Sequence, residues 1–585
     1  MSLIQSIWTV PRRLVWATVL AMTILYTALA AQSAAVHGFA SSDAGVKLWQ
    51  VQSIARTGRL DAPIDYAGAP YDPDHQYSPF LAPWFFWEDG QPYSEYISPF
   101  IWGSAALYAL WGHTGLLVLP WLAGVLSLIM TAWLAWRVRP DRWAALAPLL
   151  IGLSSPLLIY SLEFWEHTSG VCLTLLALVG VIKAMDGVHP WRWLIIAGAA
   201  VGLGLTMRAE LYVFPLALAI GLLTLRSAWP LLRALIGLAI GGLLTAGPWW
   251  LYQFVRWGSP LGPRLTQNMP ALGGTDMLER LGDTTGRNWT MLWPVGGEGW
   301  AALLILGMVA LALSGLVMLG RRGQPARVAL ALLTTSLIAI AALLLARMTI
   351  WNDGQALRPD DLLATFPLIL MVLFVPLLRS NSVYLSRETR FLAIVALAFS
   401  VLVVIVSPFQ GGVQWGPRFL LPAIAPLVIV VMVVVGEVRR NMVGLARAGI
   451  MLSFGALFIA GAASTVLGVR FIQDGQLNNL ALSTIIEQWP DRVVVSDAWF
   501  LPQGAPYIFQ DKIWLLAEDE TKMFNLIQRL RKTTDEPAMI YVSSLTWTHI
   551  DPLGLMGPRI ALDGEFQYVD SPGTYLRIGR YLLLK

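Results

Sequence analysis

Thirteen long stretches of the sequence contain no charged residue, and these apolar runs limit what the chain can fold into. Each is about 15 to 25 residues long, the length that an α-helix needs to cross the hydrocarbon of a bilayer. With 56% hydrophobic and 13% charged residues, the chain has more apolar surface than a soluble protein can cover. We therefore predict an all-α polytopic membrane protein with thirteen transmembrane helices. The runs are residues 14–33, 115–136, 143–160, 168–182, 193–207, 211–225, 234–255, 299–320, 328–346, 362–378, 391–406, 419–436 and 448–469.

A large polar loop follows the first apolar run, which we interpret as a retained span and not a cleaved signal peptide. This first outer loop covers residues 34–113, and between residues 37 and 96 it holds eight carboxylates and three bases. A chain that anchors so polar a segment in a membrane is expected to place its chemistry there. An uncharged run inside the loop, residues 96–112, carries Trp102, Tyr108 and Trp111, which are typical of the headgroup layer.

The distribution of Lys and Arg predicts the orientation of the chain. If residues 96–112 form a juxtamembrane helix and not a span, eighteen bases fall in the loops of one side, which the positive-inside rule places in the cytoplasm. If this run crossed the membrane, sixteen of them would face outward. We predict a multi-pass plasma-membrane protein whose polar loops and C-terminal tail are extracytoplasmic. The eighteen bases are Arg12, Arg13, Arg137, Arg139, Arg142, Lys183, Arg192, Arg226, Arg233, Arg321, Arg322, Arg327, Arg379, Arg387, Arg390, Arg439, Arg440 and Arg447.

The composition changes after Val469 to that of a soluble domain. We predict a transmembrane domain over residues 1–469 and a small extracytoplasmic α/β domain over residues 470–585. Within the second domain, apolar and polar periodicity predicts strands at residues 491–496, 538–542 and 575–578 and a helix at residues 520–532.

Asp43 lies just after the first span. A carboxylate at this point can face water at the membrane boundary and accept a proton from a hydroxyl group. Residues 44–57 suit a short helix, and Asp is also a good N-cap for a helix. Catalysis and capping both stay open as interpretations, and one residue could fill both roles.

Three ionisable residues occupy the short turn between two apolar runs: Glu163, Glu166 and His167. Glu163 and His167 are four residues apart and would share a helix face, so the cluster could hold a cation or a hydrogen-bonded acid pair. The alternative is a set of solvated residues at a turn. Because ionisable groups at the ends of membrane helices are costly, a functional cluster is favoured.

Two further outward turns carry arginine. Arg208 and Glu210 could pair with each other or terminate helices, or Arg208 could hold a phosphate through paired hydrogen bonds. In the turn at residues 410–418, glycines allow a ligand to approach the backbone and Arg418 could neutralise a phosphate. Trp415 and Arg418 could instead form an interfacial anchor.

Several function classes have no support in the sequence. No Walker A pattern follows a strand, and neither a Gly-rich nucleotide loop nor a serine-hydrolase elbow occurs. The single cysteine, Cys172, lies inside an apolar run, which excludes a disulfide framework. No basic cluster with interleaved aromatic residues indicates a nucleic-acid partner.

Taken in order, these elements resemble the GT-C superfamily of membrane glycosyltransferases, which use polyprenyl-phosphate sugars and include protein O-mannosyltransferases and lipid A aminoarabinose transferases. The resemblance covers about residues 10–440. It rests on Asp43, on the acidic turn with Glu163 and Glu166, on Arg208-Ala209-Glu210, on Pro248-Trp249-Trp250-Leu251-Tyr252 followed by Gly258-Ser259-Pro260, and on Gly411-Gly412-Val413-Gln414-Trp415-Gly416-Pro417-Arg418.

The resemblance implies an inverting transfer, in which a carboxylate activates an acceptor hydroxyl that displaces the lipid phosphate from the sugar. Asp43 would be the catalytic base, and Arg418 or Arg208 would stabilise the leaving phosphate. The acidic second turn would line the acceptor or cation side, which leaves a divalent cation open as a cofactor. The expected substrate-binding residues are Lys47, Glu163, Glu166, His167, Arg208, Glu210 and Arg418.

Two features depart from the pattern of these relatives. The second turn has Leu-Glu-Phe-Trp-Glu-His where an Arg-Asp or Arg-Glu pair is common, and the Trp-Trp-Asp peptide motif of oligosaccharyltransferases is missing, which argues against asparagine as acceptor. The expected partners are a polyprenyl-phosphate sugar, a lipid, glycan or protein hydroxyl of the cell envelope, and membrane lipid. The alternatives are a surface-polysaccharide ligase or polymerase with the same donor, and a non-enzymatic lipid or sugar transporter, in which charges at mid-bilayer and paired repeats would be expected.

Overall fold

A computed structural model describes most of the chain, and its larger part is a bundle of long apolar helices. The described residues are 10–225, 231–268, 288–293, 300–319, 324–351, 361–375, 385–407, 411, 415–545, 550–571 and 574–584. Their α-helices are α1 Val10–Val36, α2 Ser42–Thr57, α3 Pro99–Trp111, α4 His113–Val138, α5 Leu146–Leu153, α6 Leu157–Tyr160, α7 His167–Met185, α8 Pro190–Met207, α9 Phe214–Leu222, α10 Leu231–Trp257, α11 Gly262–Asn268, α12 Trp300–Leu319, α13 Gln324–Trp351, α14 Leu362–Thr365, α15 Arg387–Val406, α16 Leu421–Asn441, α17 Gly444–Glu487, α18 Leu501–Gly504, α19 Glu520–Thr533 and α20 Pro552–Met556.

Nine helices of the described ranges are long and apolar enough to cross a membrane: α1, α4, α7, α8, α10, α13, α15, α16 and α17. Each corresponds to one of the predicted runs. The other four runs are not among these nine candidate spans in the described part of the chain, so the predicted count of thirteen is not confirmed. Proline explains two of the interruptions: Pro156 separates α5 from α6, and a 3₁₀ segment begins at Pro367 in the run 362–378.

The span that includes α16 is the centre of the bundle. Within the span at residues 418–441, 94% of the residues in its most apolar 18-residue stretch are buried, the highest share among the nine candidate spans. Helices α4, α5, α7, α15 and α17 all pack against α16. Helix α16 therefore lies among five other helices.

The run at residues 96–112 forms α3, a helix of 13 residues. At 1.5 Å per residue it is about 20 Å long, too short to cross the hydrocarbon. It packs against α2 and α4, and Leu110 and Trp111 are exposed at its C-terminal end. The juxtamembrane location of this helix stays a prediction.

Four of the loops predicted to be cytoplasmic meet at one end of the bundle. Arg137 forms ion pairs with Asp186 at 2.7 Å and with Glu388 at 3.9 Å, and Arg139 pairs with Glu437. Four loops that are distant in sequence thus lie on the same side. The polar residues of the first outer loop lie at the opposite end, because α16 separates Arg418 from Glu437 by most of its length.

The C-terminal part contains a six-stranded mixed sheet. Strand β3, Val493–Ser496, is parallel to β4, Ile513–Leu516, and to β5, Ala538–Ser544. The antiparallel strands β6, Ile560–Leu562, β7, Gln567–Ser571, and β8, Thr574–Leu583, complete it. The predicted strands at 491–496, 538–542 and 575–578 and the predicted helix at 520–532 are confirmed with small changes at their ends.

Helix α17 is 44 residues long and joins the membrane bundle to the sheet without interruption. The predicted domain boundary between residues 469 and 470 lies in the middle of this helix. The first outer loop, which contains the hairpin β1 Phe85–Glu88 and β2 Gln91–Ser94, shares a hydrophobic core with the sheet. Members of that core include Trp49 and Phe85 from the loop and Val494, Phe509 and Ile540 from the C-terminal part.

Candidate active site

Asp43 lies in the first turn of α2, at the end of α16 that faces the first outer loop. Its Oδ2 accepts a hydrogen bond from Arg418 Nη1 at 3.2 Å, and its side chain is 20% exposed. The N-cap of α2 is Ser41, whose hydroxyl accepts from the Ala44 amide. The interpretation of Asp43 as the N-cap of α2 is therefore wrong, because Ser41 fills that role.

Glu166 is the centre of a buried charge cluster, which we call the Glu166 cluster: Glu166 with Lys47, Arg208 and Arg264. Its Oε2 accepts from Lys47 Nζ at 2.5 Å, and its Oε1 accepts from Arg208 Nη1 at 2.9 Å and from Arg264 Nη2 at 3.2 Å. The Glu166 side chain is only 2% exposed. Burial opposes its charge, but the three neighbouring cations outweigh burial and hold the pKa of the Glu166 carboxyl well below its usual value.

Arg208 bridges two carboxylates. Its Nε donates to Glu210 Oε1 at 2.8 Å while its Nη1 donates to Glu166. Of the alternatives for the turn at residues 206–210, pairing between Arg208 and Glu210 is confirmed. The pair continues into the Glu166 cluster, so Arg208 is fixed in a defined orientation.

Two contacts join Asp43 and Arg418 to the Glu166 cluster. Asp43 and Lys47 are one turn apart on α2. The Phe419 ring lies 5.2 Å from Arg418 Cζ and 5.8 Å from Arg208 Cζ. The structure thus brings together six of the predicted site residues, which come from four separate turns of the chain: Asp43, Lys47, Glu166, Arg208, Glu210 and Arg418.

Glu163 accepts its hydrogen bonds from other groups than these cations. Its Oε1 accepts from the Ala40 amide at 3.0 Å and its Oε2 accepts from Gln476 Nε2 at 3.2 Å. Burial raises the pKa of the Glu163 carboxyl to about 8, so this residue is mostly neutral at pH 7. The expected shared helix face with His167 is wrong, because α7 begins only at His167.

His167 is buried beside the cluster. Its ring lies 4.8 Å from the Tyr160 ring and 5.7 Å from the Trp165 ring. Among the described residues neither of its ring nitrogens has a hydrogen-bond partner. Since Glu163, Glu166 and His167 are all buried, the interpretation of solvated residues at a turn is wrong.

The divalent cation that the sequence left open finds no ligand set in the described part of the chain. No group of three or more His, Cys, Asp or Glu side chains there could hold a metal ion. Glu166 already binds three cationic side chains, and Glu163 already accepts from the Gln476 side-chain amide and the Ala40 backbone N–H. These donors do not fit a divalent cation.

A cleft opens next to the Glu166 cluster. Its volume is about 460 Å³ with its open mouth included, and Arg208 and Arg264 lie along it together with Glu95 and Gln253. Apolar side chains such as Trp249 form part of its wall. The cleft therefore combines an apolar surface with two guanidinium groups, as a ligand with an anionic head and a lipid tail would require.

Two residues next to the Glu166 carboxylate and Lys47, Arg264 and Tyr96, were not predicted from the sequence. Arg264 follows the motif Gly258-Ser259-Pro260 by four residues and donates to Glu166 and to the Met207 carbonyl. The Tyr96 ring lies 4.7 Å from Lys47 Nζ and 5.1 Å from Arg264 Cζ. The motif Gly258-Ser259-Pro260 could have drawn attention to Arg264. For Tyr96, the available signal was its position at the start of the uncharged run 96–112.

The chain is similar to solved structures of two kinds over nearly its whole length. One is ArnT from Cupriavidus metallidurans bound to undecaprenyl phosphate, with 13% identity, a TM-score of 0.44, and coverage of 96% of this chain and 97% of that chain. The other is the archaeal oligosaccharyltransferase AglB from Archaeoglobus fulgidus in complex with an inhibitory peptide and a dolichol-phosphate, with 12% identity, a TM-score of 0.46, and coverage of 94% of this chain and 74% of that chain. Both are GT-C enzymes.

ArnT in the apo state is similar as well, at 14% identity and a TM-score of 0.40, over 95% of this chain and 97% of that chain. No protein-family model matches the sequence, and no curated protein matches it.

Proposed function

We propose that the protein is an integral-membrane glycosyltransferase that moves a sugar from a polyprenyl-phosphate donor to a hydroxyl group of a lipid, glycan or protein acceptor. The observation that carries this proposal is the position of Asp43: a partly exposed carboxylate within one connected group of cations at the ends of membrane helices. This arrangement supplies a base and a binding site for an anionic leaving group in one place.

In the proposed reaction, Asp43 accepts the proton of the acceptor hydroxyl. The acceptor oxygen forms a bond to the anomeric carbon, the bond from that carbon to the phosphate oxygen breaks, and the lipid phosphate leaves with the electron pair. A single displacement of this kind inverts the anomeric configuration. Only one accessible carboxylate is needed, which is consistent with the neutral state of Glu163 and the pairing of Glu166.

The cations stabilise the negative charge that develops on the leaving phosphate. Arg418 is adjacent to Asp43, while Arg264 and Arg208 lie along the cleft. Guanidinium groups bind phosphate through paired hydrogen bonds, and the Glu166 carboxylate holds two of the three in place before the donor arrives. His167 remains a candidate for contact with the substrate because its ring nitrogens are unpaired within the described residues.

The proposed location of the site is the extracytoplasmic face of the plasma membrane. Support comes from the bases predicted to be cytoplasmic, several of which meet at the opposite end of the bundle from Asp43. The ionisable groups of the site lie at helix ends: Arg208 directly follows α8 and Glu166 directly precedes α7. A transporter that binds its substrate at mid-bilayer would place such groups deeper within its helices.

The experiment compares surface glycans and glycolipids from cells that lack the protein with those from complemented cells. We expect mass spectrometry to show the loss of one sugar modification, its return with the wild-type chain, and no return with Asp43→Asn. Asp65→Asn is the matched control, because Asp65 is an exposed carboxylate of the same loop that pairs with Arg56. Restoration by Asp43→Asn to the wild-type level would contradict the proposal.

A further inference from the structure

Helix α17 is in direct contact with the segment that leads into α2. Gln476 of α17 donates from Nε2 to Glu163 Oε2 at 3.2 Å, and Glu163 Oε1 in turn accepts from the Ala40 amide at 3.0 Å. One turn further along α17, Asn479 Nδ2 donates to the Phe39 carbonyl at 2.6 Å. Helix α17 thus binds the backbone just before α2 directly at the Phe39 carbonyl, and through Glu163 at the Ala40 N–H.

Neither Gln476 nor Glu163 is placed to meet a substrate. Both side chains are fully buried, and Glu163 accepts from the Gln476 side-chain amide and from the Ala40 backbone N–H. Both oxygens of Glu163 are held by hydrogen bonds, and burial raises the pKa of this carboxyl to about 8. Gln476 Oε1 has no partner within the described residues, so rotation of this amide would let it accept from the protonated carboxyl.

Helix α2 itself packs closely against the C-terminal part of the chain, at residues 503–509. A Cβ on Gly45 would lie 2.0 Å from the Gln503 carbonyl oxygen, so only glycine allows the two backbones to approach this closely. Trp49 Nε1 donates to the Pro506 carbonyl at 3.2 Å, and its ring stacks on Phe509 at 3.8 Å. The C-terminal part therefore contacts α2 along the face that includes Gly45 and Trp49.

We propose that Gln476 and Glu163 are positioning residues for Asp43, and that through them the C-terminal part of the chain sets the location of the base relative to Arg418. The inference rests on the proposed function, because it assumes that Asp43 is the base. Asp43 is three residues beyond Ala40, and Ser41 between them is further fixed by Trp165 Nε1 at 2.9 Å. A shift of the Ala40 backbone would move the start of α2 and Asp43 with it.

The first test is the kinetics of purified Gln476→Ala with a polyprenyl-phosphate sugar. A misplacement on the order of 1 Å lowers the rate of a positioned reaction by about 10- to 100-fold, and we expect a fall of that size in kcat. The KM for the donor should stay within about twofold, because the guanidinium groups of the cleft are untouched. Gln473→Ala is the matched control. Gln473 lies one turn earlier on α17, where its side-chain amide donates to Gln32 Oε1 at 3.5 Å, and this variant should keep the wild-type kcat.

The second test separates geometry from acidity at Glu163. Glu163→Gln keeps an oxygen for the Ala40 amide and an amide group that can pair with Gln476, whereas Glu163→Ala keeps neither. We expect the kcat of Glu163→Gln to exceed that of Glu163→Ala by at least about tenfold. Only the glutamine keeps the hydrogen bonds to Ala40 and Gln476, and one such bond corresponds to about a factor of ten. Equal loss in both variants would show that the carboxyl acts as an acid, base or ligand and would overturn the proposal.

Hydrogen exchange covers the case in which a variant is too unstable for kinetics. Gln476→Ala should exchange faster at the amides of residues 38–45 than the wild type, with residues 520–533 unchanged. Unchanged exchange at residues 38–45 would overturn the proposal. If Asp43→Asn kept the wild-type rate, the proposed function itself would fail; if Asp43→Asn abolished transfer while Gln476→Ala kept the wild-type kcat, only the positioning role would fail.

Discussion

At the scale of single residues, Glu166 determines how the cations of the site are arranged. Its two oxygens bind side chains that come from positions 47, 208 and 264. Each of these cations would be costly to bury without a counter-charge, because burial favours the uncharged form. One carboxylate therefore allows three cationic groups to converge next to the cleft.

Replacement of Glu166 by Gln should destabilise the fold. Removing one partner of a buried ion pair costs about 3 to 5 kcal/mol, since the remaining charges are left uncompensated. We expect a clear fall in the thermal unfolding midpoint of the purified protein at pH 7. The matched control is Glu518→Gln, because Glu518 forms an exposed pair with Lys522 and such pairs contribute little.

The sign of the pH dependence follows from the lowered pKa of Glu166. A carboxylate whose pKa is lowered on folding stabilises the fold above its unfolded pKa, and this contribution is lost as the pH falls through the folded pKa. The effect of Glu166→Gln should therefore persist from pH 8 down to about pH 5 and shrink only in stronger acid. An unfolding midpoint equal to that of the wild type across this range would contradict the role of the Glu166 cluster.

Arg418 is expected to act on the donor. Arg418→Ala removes a guanidinium that is close to Asp43, and the loss of a charge-assisted hydrogen bond to phosphate should raise the donor Kd by about 10- to 100-fold. Titration of the purified protein with a polyprenyl-phosphate sugar measures this. Arg56→Ala, at an exposed position on α2, should leave the Kd unchanged. An unchanged Kd in Arg418→Ala would remove Arg418 from the phosphate site.

The sequence predicted Asp43, Arg208 and Arg418 because charged residues next to long apolar runs are unusual and therefore conspicuous. It did not predict that Glu166 binds Lys47, because those residues are separated by 119 positions and only the packed helices bring them together. Arg264 was missed for the same reason. The distinct roles of Glu163 and Glu166 also depend on three-dimensional neighbours that no local pattern encodes.

At the scale of elements, α2 carries Asp43 and Lys47 and packs against α3, β2 and α18. Ser41 caps its first turn, and it ends at Gly58, which has a left-handed backbone with φ of 70°. Both signals are local, which explains why the sequence predicted a helix over nearly these residues. The close approach of α2 to α18 at Gly45 is a tertiary feature, and the sequence analysis did not predict it.

Gly45→Ala should disturb the position of α2. The added methyl group would overlap the backbone of Gln503, so α2 or the C-terminal part must shift. We expect a fall in the transfer rate of at least about tenfold, by the same geometric sensitivity as for other positioned reactions. Gly455→Ala is the control, because a Cβ at Gly455 of α17 meets nothing within 4 Å. A wild-type rate in Gly45→Ala would show that this contact is not needed.

At the scale of the whole molecule, the bundle has two chemically different ends. One end holds Asp43, the Glu166 cluster, the first outer loop and the C-terminal sheet. The other holds the ion pairs of Arg137 and Arg139. Hydropathy and the distribution of bases predicted this two-sided arrangement. They could not predict that α17 continues unbroken from the bundle toward the sheet, because the composition of α17 changes midway along the helix.

Cysteine labelling tests the orientation. In a Cys172→Ser background, Lys532→Cys on α19 should react with an impermeant maleimide in intact cells. Asn441→Cys, at the opposite end of α16, should react only after the membrane is permeabilised. Both positions are exposed, so the difference reports topology and not burial. Labelling of Asn441→Cys alone in intact cells would reverse the orientation that we propose.

The most direct measurement is single-turnover transfer by purified Asp43→Asn, made together with donor binding by the same preparation. A general base typically contributes 100- to 10,000-fold, so the transfer rate should fall by at least about 100-fold. The donor Kd should stay within about twofold, because the cations that bind the phosphate remain. Transfer at the wild-type rate in Asp43→Asn would contradict the account.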